Sequence, residues 1–157
     1  MRIAGYAVAS AIGFSFGVGT LGANYFQSDK LTADNLKTMS EGLGIEVKQI
    51  VTDPGKEKYT LSMKTSKLNI PVGAEISPST SYVWLTVNLG DNSSAKKHEE
   101  LLKQNGIVQP TFFYITASGR LMAAHPIDNR AVTPAVLRRC LDKIVADVDK
   151  TSGVWQN

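Results

Sequence analysis

The chain has 157 residues, 43% of them apolar and 20% charged, with a formal net charge of +3. That length suits one globular unit with a short appendage, and the apolar share excludes an intrinsically disordered chain. No run of five like charges occurs, so nucleic-acid binding has no electrostatic footprint. The single cysteine, Cys140, excludes an internal disulfide, a CxxC pair and a cysteine-rich zinc site. The two histidines, His98 and His125, show no ligand spacing, so neither a metal nor another cofactor is expected.

Residues 1–25 read as a separate unit. Ile3 to Ala23 carries no charge over 21 residues, enough to cross the ~30 Å of bilayer hydrocarbon as a helix. Arg2 precedes it and Asp29 and Lys30 follow, so the positive-inside rule keeps the amino terminus cytoplasmic and exports the remainder. Two readings stand: a signal peptide cleaved near Thr20-Leu21-Gly22, or an uncleaved signal anchor. Gly5, Ala9, Gly13 and Gly17 recur at i+4 and would form a small-residue face for helix packing in lipid. The expected location is a bacterial inner membrane with the carboxy-terminal domain in the periplasm, or the periplasm itself if the leader is removed.

Residues 26–157 are expected to form the exported domain. Thr32 is a good N-cap, Leu31 and Leu36 can make a hydrophobic staple, and Leu36, Met39 and Leu43 share one face before Gly42 and Gly44 end the helix. Ile45, Val47 and Val51 start a strand, and Asp53-Pro54-Gly55 supplies turn chemistry. Tyr59, Leu61 and Met63 then alternate with polar residues, so a helix followed by a hairpin is predicted. Leu68, Ile70 and Val72 add a short strand, which Pro71 marks as an edge, and Gly73 to Ser81 reads as a loop. Tyr82 to Leu89 is apolar on both faces and reads as an interior strand.

A helix is predicted over 94–104, laced by Lys96–Glu100 and Glu99–Lys103 at i+4 and ended by Asn105-Gly106. Ile107 to Thr116 is an aromatic-rich strand, turned by Ala117-Ser118-Gly119-Arg120 into a strand from Leu121 to Ala124. Thr133 caps the last helix with Pro134 at N1, and Val136, Leu137, Cys140, Leu141, Ile144, Val145 and Val148 form its apolar stripe. The element order gives an α/β or α+β domain.

From Tyr82 onward the chain resembles the second half of a thioredoxin-like domain. The resemblance rests on Val83-Trp84-Leu85-Thr86-Val87-Asn88, the helix end Leu101 to Ile107, Gln109-Pro110-Thr111, the strand Phe112-Phe113-Tyr114-Ile115, the turn Ser118-Gly119-Arg120, and the closing helix. It is nearest in flavour to bacterial periplasmic disulfide-exchange proteins, including the isomerase family. It implies a thioredoxin-like sheet with flanking helices, a cis bond before Pro110, and a neighbouring groove that holds extended chains. The dithiol of that family is missing, since no cysteine precedes Pro110 and Cys140 falls on an apolar helix stripe. Thiol chemistry is therefore not expected.

No other catalytic constellation appears. Residues 26–157 hold no Gly-x-Ser-x-Gly elbow, Asp91-Asn92-Ser93-Ser94 reads as a helix cap rather than a calcium loop, and adjacent Glu99 and Glu100 diverge. His98 is expected to face solvent and His125 to end a strand. Trp155 either contacts a partner or covers the domain edge.

The leading expectation is a non-catalytic thioredoxin-like domain that binds another envelope protein or peptide. Its candidate groove is Gln109, Pro110, Thr111, Trp84, Phe112 and Tyr114, with strand addition at exposed sheet edges as one mode. The alternative is an assembly component of a bacterial secretion or conjugation apparatus, with a small cystatin-like or adaptor-type domain that oligomerises through its first twenty residues. In that case the cis-proline motif is accidental.

Overall fold

The computed structural model describes residues 30–93 and 98–156. Residues 1–25, with the expected membrane segment and its Gly5, Ala9, Gly13 and Gly17 face, lie outside the described residues, as does Lys96. Among the described residues no helix is long and apolar enough to cross a membrane.

The helix caps form as their sequences dictate. Thr32 Oγ1 accepts the Asn35 N–H at 3.2 Å and opens α1 (Ala33–Gly42). Thr133 Oγ1 accepts the Val136 N–H at 3.2 Å, with Pro134 as the first residue of α3 (Pro134–Lys150). Between them run β1 (Val47–Val51), β2 (Lys58–Lys64), β3 (Asn69–Ile76), β4 (Tyr82–Asp91), α2 (His98–Asn105), β5 (Phe112–Ile115) and β6 (Arg120–Asp128). A single turn, α4 (Ser152–Trp155), follows α3. Asp53-Pro54-Gly55 makes the predicted hairpin turn, where Lys56 N–H bonds Asp53 O and Gly55 adopts φ +77°.

The six strands form one sheet in the order β1-β2-β3-β4-β6-β5, and every neighbouring pair is antiparallel. This overturns the thioredoxin-like expectation. The Gln109–Pro110 bond is cis, as the resemblance implied, yet the sheet around it has no parallel pair. After α2 the chain does not return beside β4: β6 occupies that place and β5 lies outside it. The domain is α+β.

Three further expectations are corrected. The 73–81 loop is strand as far as Ile76, because Gly73 to Ile76 pairs with β2 on one side and with β4 on the other. Pro71 sits within β3 but beyond the β3–β4 ladder, where its missing N–H costs nothing. The strand expected over 107–116 shortens to Phe112–Ile115, while its partner lengthens to 120–128. Pro126 fits inside β6 for the same reason as Pro71, since β5 stops pairing at Ala124. Of the 94–104 helix, the described part is His98–Asn105, with Lys103 and Glu99 paired at 2.7 Å.

The strands bury one face far more than the other. Tyr59, Leu61, Ile70, Val72, Val83, Leu85, Val87 and Leu121 point into a single core with Leu36 of α1, Leu101 of α2 and Leu137, Leu141, Ile144 and Val148 of α3. Each large side chain moved from water into such a core contributes roughly 1.5–3 kcal/mol. The reading of β4 as apolar on both faces is thus half right: neighbours flank it on both sides, but Tyr82, Trp84, Thr86 and Asn88 point away from the helices.

Cys140 is half-buried on the core side of α3, and burial pushes its thiol up, with Arg139 opposing weakly. Trp155 donates its indole N–H to Val148 O at 2.9 Å and so covers the end of α3.

Candidate functional site

The face opposite the helices follows from strand alternation and register. Thr60, Gly73, Thr86, Ala124 and Phe112 stand in one row across β2, β3, β4, β6 and β5. Three of them, Gly73, Thr86 and Ala124, are small and lie in the middle of the sheet. Gly73 has a specific reason to be bare, because a Cβ there would lie 2.7 Å from Thr86 Oγ1. In the next row Glu75 pairs with Trp84, and Trp84 with Pro126. On the other side of the small row, Tyr114 pairs with Met122, and Met122 with Asn88.

Large rings stand beside this low floor. Tyr82 and Trp84 are 6.0 Å apart between centroids, Trp84 and Phe112 are 6.2 Å apart with planes at 81°, and Phe112 and Tyr114 are 5.8 Å apart. Together they form an aromatic ladder from β4 to β5, passing over buried Ala124. Glu75, Trp84, Thr86, Phe112, Tyr114 and Ala124 line a hollow of about 320 Å³. Glu75 is bonded through Oε2 to Lys58 Nζ at 2.6 Å. Partial burial raises the Tyr114 phenol above its ordinary value, Glu75 adds to that, and Lys58 opposes it.

Of the six residues predicted for a groove, the structure brings Trp84, Phe112 and Tyr114 together and sets the other three apart. Gln109 and Pro110 are exposed in the turn before β5. Thr111 is fully buried on the helix side, where its hydroxyl shares a 3.0 Å hydrogen bond with His125 Nδ1. His125 is not a strand-end residue: it lies inside β6 and is buried. Desolvation lowers its pKa, Lys143 lowers it further, and Asp147 pulls the other way. Lys143 Nζ also donates to Val108 O at 2.9 Å and to both oxygens of Asp147, tying α3 to the turn that carries Pro110. His98, expected in solvent, is half-buried and bonds Asn92.

Glu75, Thr86, Ala124 and Gly73 escaped the sequence reading. The signal for Thr86 was present, since in 82–89 the even positions alone carry the polar and aromatic residues. Glu75 and Gly73 sat in a stretch read as loop.

The sheet edges differ. At β5 the Asn105 side chain holds both backbone groups of Phe113: Oδ1 accepts the N–H at 2.6 Å and Nδ2 donates to the carbonyl at 3.1 Å. Strand addition at the middle of β5 is therefore blocked by the chain's own amide. At β1 the exposed Ile50 marks a more open margin. Among the described residues no group of His, Cys, Asp and Glu is arranged to hold a metal ion.

No family model matches the sequence. No curated protein matches it either. Four chains of known structure match the fold. One comes from the structure of the HopA1–SchA chaperone–effector complex, with a TM-score of 0.53 and 14% identity, covering 78% of this chain and 91% of that one. At that identity the likeness is one of fold, and it agrees with the antiparallel α+β sheet rather than with a thioredoxin-like one.

Proposed function

We propose that this chain is a chaperone-like domain of a secretion system, which holds an extended segment of a client polypeptide across its open sheet face. This takes the place of the thioredoxin-like binding domain and stands close to the secretion-apparatus alternative. The observation that carries it is the aromatic ladder Tyr82–Trp84–Phe112–Tyr114, left uncovered among the described residues on a sheet whose described helices pack on the other side. Same-face side chains of an extended chain repeat every ~6.6 Å, close to the spacing of these rings. Rigid aromatic residues lose little entropy on binding and dominate the energetics of such contacts. The fold likeness to a chain of a chaperone–effector complex supports the same reading. The uncharged stretch Ile3–Ala23 behind Arg2 supports placing the work in the bacterial envelope.

The test is titration of the full chain with a capped hexapeptide of alternating valine and serine carrying one norleucine. Trp84→Ala and Phe112→Ala should each weaken binding at least about tenfold, while Ile50→Ala on β1 leaves it unchanged. Binding that survives both ladder variants, with their melting temperatures intact, overturns the proposal.

A further inference from the structure

The hollow on the open face has walls and a charge suited to one kind of side chain. Trp84 and Phe112 meet at 81°, forming a corner, and Tyr114 closes it 5.8 Å beyond Phe112. Aromatic faces carry negative potential and attract a cation within ~6 Å of the ring centre. Glu75 lines the same hollow and supplies a full negative charge at its rim. Its carboxylate already holds the Lys58 ammonium, at 2.6 Å from Oε2. Thr86 and Ala124, shorter than the rings around them, form its floor.

From this we propose that the hollow is a cation site, which takes a lysine or arginine side chain of the bound polypeptide against Trp84, Phe112 and Tyr114 with Glu75 as its counter-charge. The proposal rests on the reading of this face as a polypeptide-binding surface and adds the chemistry of its central residue. An apolar client side chain would fill the volume but leave Glu75 unanswered except by Lys58. A cationic one meets the rings and shares the Glu75 carboxylate with Lys58.

The experiment compares two capped hexapeptides of alternating valine and serine on the full chain by calorimetry, one with lysine and the other with uncharged norleucine at the same position. The lysine peptide should bind about fivefold more tightly. Glu75→Gln, which keeps the shape, should abolish that preference. Lys58→Met should widen the preference by removing the ammonium that competes for the Glu75 carboxylate. Equal affinities in the unaltered chain, or a preference that survives Glu75→Gln, overturn the cation site while leaving the face as a polypeptide surface. Failure of both peptides to bind overturns the cation site and the surface together.

Discussion

Replacing Lys143 by methionine tests the polar cluster that anchors α3 under the Pro110 turn. Lys143 Nζ gives two charge-assisted bonds to Asp147, at 2.8 and 2.6 Å, and a third to Val108 O at 2.9 Å. The Asp147 side chain is 10% exposed and that of Lys143 38%. Removing one partner of a fully buried pair costs roughly 3–5 kcal/mol, because the other charge is stranded. Exposure of the ammonium reduces this, since a solvated pair gains less than about 1 kcal/mol. The geometry lies between these limits, so Lys143→Met should cost about 2 kcal/mol in urea unfolding at neutral pH. Replacing the pair together, as Lys143→Met with Asp147→Leu, should recover most of that loss. His125 gives an independent readout: without Lys143, Asp147 alone acts on it, and its pKa followed by NMR should rise. A loss below about 0.5 kcal/mol, a double variant no more stable than the single one, or a His125 pKa that stays put or falls would refute the reasoning.

Other outcomes follow from features on the same scaffold. Asn105→Ala removes both bonds to the Phe113 backbone and should cost roughly 1–3 kcal/mol in urea unfolding, with Asn105→Asp also destabilised because it keeps only an acceptor. Gly73→Ala should destabilise by about 1 kcal/mol against the Thr86 hydroxyl and be relieved by Thr86→Ala, a coupling that a double-mutant cycle measures. His125 is held neutral by burial, so the unfolded chain binds its proton first as pH falls. Its contribution is complete above the unfolded value near 6.5 and is lost as pH drops below it, at no more than about 1.4 kcal/mol per pH unit; His125→Asn should flatten that part of the stability profile.

What the sequence discloses depends on the range of the interaction. The caps at Thr32 and Thr133 are bonds between residues three apart, and the Asp53-Pro54-Gly55 turn is equally local, so all three were legible. The alternation of Tyr59, Leu61 and Met63 likewise announced a half-covered strand. Lateral strand order is not local. Strand, helix, cis-proline turn, two strands and helix is a pattern shared with thioredoxin-like chains, but whether β4 lies beside β5 or beside β6 is settled by packing across the whole sheet. Gly73 and Ala74 looked like loop residues because their strand is held by neighbours on both sides rather than by its own propensity. Thr111 fell out of the predicted groove through pleating alone, since adjacent Phe112 points to the opposite face. Trp84, Phe112 and Tyr114 met because register set them on one surface, which three separate aromatic residues could not reveal.

The Asn105 amide also bears on assembly. With the outer backbone of Phe113 already engaged, β1 is the more open of the two sheet edges among the described residues. Two molecules joined there by a two-fold axis would turn the margin guarded at Phe113 outward at each end, which disfavours open-ended stacking into fibrils.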